Sequence, residues 1–476
     1  MKKIALLPID NRPVTYTLLK DIIALNDNIK LDMPERNYLG GLYEAANIKE
    51  ITNWLIETDD IDYLILSLDT IAYGGLVPSR RMNDGFDEIK SRLDIVRDSI
   101  LEKKKKNKKL KVYAFSSIMR ISNNNAAEEE KPYWADFGKE IYSYSYNLHK
   151  ARINNENKNI EHNIPPEILK DYLDTRKRNY EINKLYLKWL EKKVIDFLIY
   201  SKDDTGAFGL NVEEAFNLKE EIIKRKLNAK VKTGADEIPL ALLLRAITEN
   251  IKIKIKIEYK NKESINLISK YEDISVEECV KSQIETGIKN ACITDINPDI
   301  IFYVNNFDKI QGDLVFKDNV NNTLNIKLNF DKPCIIADIN NANGADWEFV
   351  ENMVKNKIDK NLYAYSGYNT SANSIGSALA IGICTYIAKK EKSFRECAFK
   401  KLLITRLLDD WAYQADIRDY IKEAKDGNYV LALSENSDRF KPYENKIKNF
   451  LNTEFKVLYS LPWKRSFEAE FDVIIK

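Results

Sequence analysis

The chain has 476 residues, more than one hydrophobic core usually organises, and carries 74 Lys and Arg against 73 Asp and Glu, a net charge of +1. A hydrophobic fraction of 44% with 31% charged residues is typical of a soluble globular protein. This balance gives no indication of a nucleic-acid partner, and no uninterrupted apolar run approaches the roughly 20 residues of a membrane span.

Cysteine and histidine usage restricts the chemistry. Five cysteines at wide spacings, without a C-x-x-C pair, are typical of reduced thiols. The N-terminal "MKKIALLPIDNRP" has an apolar run too short for a signal peptide, so we expect a cytoplasmic protein. The two histidines, His149 and His162, lie in a polar stretch, whereas triads and most zinc sites need imidazole beside the catalytic groups. We therefore expect carboxylate chemistry, with no metal ion and no cofactor.

Short apolar runs recur along the chain, and most end in polar residues or glycine. They span 3–10, 63–69, 110–120, 197–204, 229–237, 300–306, 334–340 and 362–369, with 251–259 as a ninth candidate. Nearly continuous apolar runs are typical of parallel strands buried on both faces, and helical stretches alternate with them. This alternation predicts an α/β fold, specifically a (β/α)8 barrel of the TIM type.

Two regions depart from the alternation. Residues 121–196 predict a helical insertion, whose tyrosines and tryptophans either line a cleft or pack between helices. After residue 375 the pattern becomes mainly helical and ends in a short α/β tail. We therefore predict a barrel over 1–375, with the insertion inside it, and a C-terminal region over 376–476 packed on the barrel without a linker.

Polar residues gather where the predicted strands end. In parallel α/β folds the ligand site lies at the carboxyl ends of the strands, so we predict a site there. Asp203 and Asp204, after the fourth run, are the predicted catalytic residues. The predicted substrate-binding residues are Asp10, Asn11, Arg12, Asp69, Tyr73, Arg120, Asp236, Glu237, Tyr365, Asn369 and Asn373.

Several of these residues have structural alternatives. The rigid "PIDNRP" loop suits a polyol or a buried salt bridge, and Asp69 suits a sugar or an ion pair with an arginine at a neighbouring strand end. Asp236 and Glu237 bind sugar hydroxyls or begin the following helix. Asp203 takes part in catalysis or caps a turn.

The adjacent aspartates in "SKDDTGAFG" suggest a reaction. Neighbouring strand residues point to opposite faces, so Asp203 and Asp204 share a pocket only where the strand has ended, and Thr205 and Gly206 permit that turn. Two close carboxyl groups raise one pKa above the usual value of about 3.9, which provides a general acid. In substrate-assisted glycosidases the sugar's acetamido oxygen attacks while such a pair assists. The pattern predicts a retaining glycoside hydrolase acting on N-acetylhexosamine-containing saccharides.

The motifs together carry a resemblance. "LPIDNRP", "SLDTIAYGGLVPSRR", "SKDDTGAFG", "TGADE", "ADINNANGAD", "AYSGYNTSANSIGSAL", "RLLDDWAYQADIR" and "LPWKRSFE" resemble the bacterial family catalogued as domain of unknown function 4127, essentially from end to end. The Asp203–Asp204 pair is also similar to the catalytic pair of the hyaluronidase-like N-acetylglucosaminidases, which are barrel enzymes. That likeness implies that Asp203 orients the acetamido group and that Asp204 is the acid.

Two other functions remain open at this stage. Asp10, Asp69, Asp203, Asp204 and Asp236 would converge on Mg²⁺ or Mn²⁺ in a metal-dependent hydrolase or transferase, since hard cations accept carboxylate shells. Alternatively, the protein binds a saccharide without catalysis. We expect a small saccharide as partner, without nucleic acid or membrane, and the sequence leaves the oligomeric state open.

Overall fold

The computed structural model describes residues 1–156, 159–203, 205–318, 329–357, 361–424 and 427–476. The strands of the first half are β1 Lys2–Leu7, β2 Ile29–Asp32, β3 Tyr63–Ser67, β4 Lys111–Ile118, β5 Phe197–Lys202 and β6 Ala229–Thr233. Its helices are α1 Thr17–Ile23, α2 Ile48–Glu57, α3 Leu68–Tyr73, α4 Pro78–Arg81, α5 Phe86–Lys106, α6 Trp134–Ile153, α7 Pro166–Glu191, α8 Leu210–Lys224 and α9 Ile238–Thr248. The strands form one parallel sheet, in the order β2-β1-β3-β4-β5-β6.

The second half builds another parallel sheet. Its strands are β7 Lys252–Tyr259, β8 Asn290–Ile293, β9 Ile300–Asn306, β10 Gly312–Asp313, β11 Cys334–Ile339, β12 Asn341–Ala342 and β13 Leu362–Ser366. The helices are α10 Val276–Gly287, α11 Trp347–Lys355 and α12 Ser371–Lys390. The sheet order is β13-β11-β9-β7-β8, while the two-residue strands β10 and β12 pair with each other.

The C-terminal region packs on the second sheet. It contains α13 Glu396–Arg406, a π-helix over Leu407–Ile417, α14 Arg418–Lys422, α15 Tyr429–Glu435, α16 Lys441–Leu451 and the antiparallel pair β14 Phe455–Ser460 and β15 Glu470–Ile475. The 3₁₀ turns of the chain are Arg36–Tyr38, Lys262–Ser264, Leu314–Phe316 and Ser437–Phe440. Trp411, in the π-helix, is buried in the cluster that covers the outer face of the second sheet.

The two sheets share one connectivity. In each, the chain starts at an inner strand, adds an edge strand on one side, and then crosses to add the remaining strands on the other side. This is the doubly wound order, in which the strand sequence reverses between β1 and β3 in the first sheet and between β7 and β9 in the second. Such reversals leave a crevice at the carboxyl ends of the strands, where ligands bind in α/β proteins.

One layer of helices joins the sheets. Helices α1, α9, α10 and α12 share a single hydrophobic core with the inner faces of both sheets. Helices α2, α3, α5, α7 and α8 cover the outer face of the first sheet. Both faces of the strands are thereby buried, which explains their continuous apolar runs.

The parallel α/β class is confirmed, but the closed barrel is not. All nine predicted strands occur, and β2 and β8, which the sequence analysis missed, are short edge strands with partly exposed residues. Among the described residues no pairing joins β6 to β7, so two open sheets take the place of one barrel. The physical reason is that α9, apolar on all sides, packs between the sheets after β6.

The helical insertion and the C-terminal boundary have clear positions in the structure. Helices α6 and α7 lie within residues 121–196, and the aromatic Trp134 packs against Tyr172 between them. Residue 376 lies inside α12, which packs against β11 and β13. Among the described residues α12 alone has the length and apolarity of a membrane span, but 94% of that stretch is buried inside the protein.

Replacing Gly382 with Ala should destabilise the protein. Gly382 lies on the face of α12 that touches β11, and an added Cβ would collide with the buried Ile335 side chain. We expect a loss of about 1–3 kcal/mol in the free energy of unfolding, measured in urea, despite the higher helix propensity of Ala. Gly85, the N-cap of α5, is the control because an added Cβ there meets no atom within 4 Å, and Gly85→Ala should cost only the loss of a favourable cap residue, about 0.5 kcal/mol. Equal effects of the two changes would contradict this packing.

Candidate functional site

The carboxyl ends of both sheets border one cleft of about 400 Å³, a volume within the roughly 300–1,000 Å³ of ligand pockets. Seven charged residues of the lining, which we call the charged wall, are Arg12, Arg120, Glu128, Glu129, Asp203, Asp236 and Arg465. Seven uncharged residues from the second half of the chain, which we call the neutral wall, are Tyr271, Val315, Phe316, Asn343, Asn369, Thr370 and Asn373. Leu76, Ser122, Asn124, Ala126, Ala235 and Phe467 complete the described lining.

Arg12 joins two carboxylates of the charged wall. Its Nε and Nη2 donate to Asp10 Oδ2 at 2.9 and 2.8 Å, and Nη2 and Nη1 donate to Asp236 Oδ1 and Oδ2 at 2.6 and 3.2 Å. All three side chains are buried. Burial alone lowers the pKa of Arg12, but Asp10 and Asp236 outweigh it and hold that pKa well above its ordinary value. The "PIDNRP" loop therefore forms the predicted salt bridge and also reaches the cleft.

Local hydrogen bonds shape this loop. Asp10 Oδ1 accepts from the backbone N–H of Arg12 at 3.0 Å and from the Thr15 hydroxyl at 2.6 Å, so Asp10 caps the turn that precedes α1. Short aspartate side chains favour such contacts with the following backbone. Asn11 instead faces Trp463, whose Nε1 donates to Asn11 Oδ1 at 2.7 Å, and it is outside the described cleft lining.

Asp236 is a cleft-lining residue whose carboxyl pKa is strongly raised. Burial raises its pKa to about 7, with Arg12 opposing the shift and Asp10 and Asp203 adding to it. Two buried carboxylates share one guanidinium here, so the group carries excess negative charge unless a proton is bound. Asp236 can therefore hold a proton near neutral pH.

Asp203 lines the cleft directly after β5. Its carboxylate accepts from Arg120 Nη1 at 3.5 Å, and the Thr205 hydroxyl donates to its backbone carbonyl at 3.3 Å. Both predicted site residues, Asp203 and Arg120, thus reach the cleft from neighbouring strand ends. Asp204 lies outside the described residues, so its role beside Asp203 stays a prediction.

A triplet of glutamates and an arginine were missed by the sequence analysis. Arg465 Nη1 donates to Glu129 Oε1 at 2.8 Å and to Glu128 Oε2 at 3.1 Å, and Arg120 Nη2 donates to Glu129 Oε2 at 2.9 Å. Burial raises the pKa of Glu129, but Arg120 and Arg465 outweigh burial and hold the pKa below its usual range. The run "EEEKP", at 128–132, was the available signal for this cluster.

Asp69 and Tyr73 lie beneath the strand ends and outside the described lining. Asp69, in the first turn of α3, accepts from the Ser116 hydroxyl at 2.9 Å and from the Ser117 backbone N–H at 2.7 Å, which ties α3 to β4. Burial raises the pKa of Asp69 to about 6, against these hydrogen bonds. Tyr73 is buried beneath the Arg178 guanidinium, 5.5 Å from the ring centroid.

Glu237 and Tyr365 are buried and lie outside the described cleft lining. Glu237 accepts from Lys232 Nζ at 3.1 Å and from the Ala235 backbone N–H at 3.0 Å, which stabilises the turn before α9. Gly234 in that turn has φ of 115°, and a Cβ there would strike the Glu237 carboxylate. Tyr365 donates to Asp338 Oδ2 at 2.9 Å inside the second sheet.

Asn369 and Asn373 reach the cleft as predicted, at the start of α12. Asn373 is 5% exposed, and its Oδ1 hydrogen-bonds to no atom of the described residues. A buried amide without a partner is costly in a folded protein, unless water or a ligand supplies the bond. Asn373 is therefore a candidate ligand contact.

The predicted metal-ligand carboxylates do not converge in the described part of the chain. Asp10 and Asp236 are held by Arg12, whereas Asp69 is held by Ser116 and Ser117. Across the described residues, no three His, Cys, Asp or Glu side chains are grouped so as to hold a metal ion.

The chain belongs to the family described as Protein of unknown function (DUF4127). The family's sequence profile matches residues 4–472, so the match includes both sheets and almost all of the C-terminal region. No curated protein and no solved structure gave a significant match. The strand-end residues of this DUF4127 chain must therefore be interpreted from their own geometry.

Arg12→Met should destabilise the protein by about 3–5 kcal/mol at pH 8, because Asp10 and Asp236 would be buried without their cation. Removing the guanidinium raises the folded-state pKa of Asp236 further above its unfolded value of about 3.9. The folded state then binds a proton that the unfolded state lacks, so the loss of stability should shrink as the pH falls from 8 to 5. Urea unfolding at each pH measures this.

The control for that experiment is a surface ion pair. Arg395 pairs with Asp27 at 3.5 Å, and both side chains are more than half exposed. Arg395→Met should change stability by less than about 0.5 kcal/mol at either pH. If Arg12→Met lowered the free energy of unfolding by the same amount at every pH, the claim that Asp10 and Asp236 share the charge of Arg12 would be contradicted.

Proposed function

We propose that this DUF4127 protein is a glycoside hydrolase that acts on N-acetylhexosamine-containing saccharides, with Asp203 and Asp204 as its catalytic residues. The observation that carries the proposal is the position of Asp203. It follows β5, lines a ligand-sized cleft, and lies near enough to Asp236 to raise the pKa of that second carboxyl. Glycoside hydrolysis uses a pair of carboxyl groups in one cleft, and in α/β folds such groups are commonly supplied by strand ends.

The proposed reaction uses the substrate's own nucleophile. The acetamido oxygen attacks the anomeric carbon, the bond to the leaving oxygen breaks, and Asp203 accepts the acetamido N–H to stabilise the developing positive charge. Asp204 donates a proton to the leaving oxygen. Water then opens the cyclic intermediate, so the product keeps the configuration of the substrate. Asp236 is a second carboxyl in the cleft that can hold a proton near pH 7.

The charge balance of the cleft supports an uncharged substrate. Arg12, Arg120 and Arg465 are each paired with carboxylates in the charged wall. An anionic substrate would have to displace those partners, whereas sugar hydroxyls can bind to the remaining donor and acceptor positions. The amides of Asn369 and Asn373 add neutral contacts of the kind that polyols use.

Asp203→Asn should lower kcat for an aryl N-acetylhexosaminide by about 10²–10⁴-fold and leave KM within a fewfold, because the carboxylate acts mainly on developing charge. Asp196 is the matched control. Asp196 immediately precedes the amino end of β5, whereas Asp203 follows its carboxyl end. The Asp196 carboxylate accepts from the Val112 backbone N–H at 2.7 Å. Asp196→Asn should lower stability but not kcat. Unchanged hydrolysis in Asp203→Asn, or no hydrolysis by the wild type, would refute the proposal.

Chelation tests the metal-dependent alternative. Hydrolysis should persist after dialysis against EDTA and should not rise when Mg²⁺ or Mn²⁺ is added back, because the proposed step uses only carboxyl groups and the acetamido group. Activity that is lost to EDTA and restored by Mg²⁺ would favour the metal-dependent hydrolase. Saccharide binding without turnover would favour the non-catalytic binding protein.

A further inference from the structure

The N-cap side chain of α12 does not cap its helix. Thr370 holds the N-cap position, where a threonine hydroxyl usually accepts from the N–H of the second or third helical residue, but it accepts no such bond here. The third helical residue is Asn373, and its backbone N–H has no acceptor among the described residues. Thr370 lines the cleft instead. The first turn of α12 therefore keeps donors that most helices satisfy internally.

Three side chains at this turn line the cleft and make no hydrogen bond to any described residue. They belong to Asn369, Thr370 and Asn373, of which Asn373 is the most enclosed, at 5% exposed. Its Oδ1 is the buried atom of the amide, so its Nδ2 is the atom that the cleft can reach. Enclosed polar groups without partners are rare in folded proteins unless water or a ligand completes them. The unpaired amide of Asn373 thus indicates a ligand at the start of α12.

Two buried side chains hold the turn from the side opposite the cleft lining. Glu272 Oε1 accepts from the Ala372 backbone N–H at 2.8 Å, and Gln283 Nε2 donates to the Ala372 backbone carbonyl at 3.2 Å. The first bond of the helix runs from the Ser374 N–H to the Thr370 carbonyl at 3.0 Å. These bonds fix the backbone of the turn before a ligand binds, which lowers the entropic cost of binding.

The charges around the turn determine which ligand group fits it. The N-terminal end of a helix carries a partial positive charge, which favours an acceptor oxygen. A full anion is disfavoured, because Asp203 and Asp236 line the same cleft and Asp236 also lines, with Asn369, a second and smaller cavity. An amide carbonyl oxygen has two lone pairs and no net charge, so it meets both conditions.

We propose that the start of α12 is a second acetamido subsite, in which Asn369, Thr370 and Asn373 donate hydrogen bonds to the acetamido carbonyl of the sugar next to the one that reacts. The ligand class rests on the proposed function, in which Asp203 orients the acetamido group of the reacting sugar. The protein then selects saccharides with N-acetylhexosamine at two adjacent positions. A plain hexose at the second position leaves the donors unpaired, and a site built to hydrogen-bond a group discriminates against ligands that lack it.

Paired disaccharides test this selection. N,N′-diacetylchitobiose and N-acetylglucosaminyl-β-1,4-glucose share the reacting sugar and differ only in the acetamido group of the second sugar. We expect kcat/KM for N,N′-diacetylchitobiose to be about tenfold higher, because only its second acetamido carbonyl satisfies the donors of α12. Chromatographic separation of the released monosaccharides measures both rates.

Two nearly isosteric changes remove these donors. Asn373→Asp replaces Nδ2 with an oxygen that repels a carbonyl, so the preference for N,N′-diacetylchitobiose should fall to within about twofold. Thr370→Val removes the hydroxyl and should lower the preference about threefold. Aspartate is favourable in the first turn of a helix, so Asn373→Asp should fold, and Thr370→Val keeps the test decisive if it does not.

Asn47→Asp is the matched control. Asn47 is the N-cap of α2, outside the described lining, and its side chain accepts from the Glu50 backbone N–H at 3.2 Å. The variant makes the same chemical change at the start of another helix and should keep the wild-type preference. If Asn373→Asp lowered kcat/KM for both disaccharides by one common factor, its role would be structural and the subsite would be overturned.

The outcomes distinguish the two proposals. Hydrolysis of both disaccharides by the wild type with equal kcat/KM would overturn the subsite and leave the hydrolase standing. If the wild type hydrolyses neither, calorimetry decides: tighter binding of N,N′-diacetylchitobiose than of its glucose counterpart, lost in Asn373→Asp, would overturn the hydrolase and support the subsite. Equal binding of the two disaccharides, or no binding, in the absence of hydrolysis would overturn both.

Discussion

The candidate site depends on one buried guanidinium shared by two carboxylates. Arg12 follows β1 and Asp236 follows β6, and β3, β4 and β5 lie between those strands in the sheet. The ion pair therefore brings two loops together across the ends of three intervening strands. A buried cation without its partners is strongly unfavourable, so the loops are constrained to meet. Trp463 lies 5.1 Å from the Arg12 guanidinium and brings the C-terminal segment to the same place.

The duplicated doubly wound connectivity explains why the cleft has two different walls. Each sheet directs its strand ends toward the same opening, but the first contributes paired charges and the second contributes amides, hydroxyls and an aromatic ring. Behind the second wall, the buried Asp313 side chain accepts hydrogen bonds from Tyr271 and Asn343.

Raised carboxyl pKa values alone would not have identified this cleft as the candidate site. Burial raises the pKa of Asp410 to about 8, yet that residue accepts from the Gly367 backbone N–H at 2.7 Å and pairs with Arg406 inside the protein. Burial similarly raises the pKa of Asp69, although its hydrogen bonds only join α3 to β4. Desolvation raises a carboxyl pKa wherever the group is buried, so the position at the strand ends carries the functional argument.

The sequence by itself determined the nine longer strands of the two sheets and the side chains at their ends. Continuous apolar runs predicted nine strands, and the polar residues after them included Arg12, Arg120, Asp203 and Asp236, because buried strands and their solvent-facing ends differ in local composition. Only the tertiary structure decided that α9 separates two sheets, and that Arg465 meets Glu129 across 336 positions of the chain. Pairings of this kind depend on distances between remote segments, which no local pattern of residues encodes.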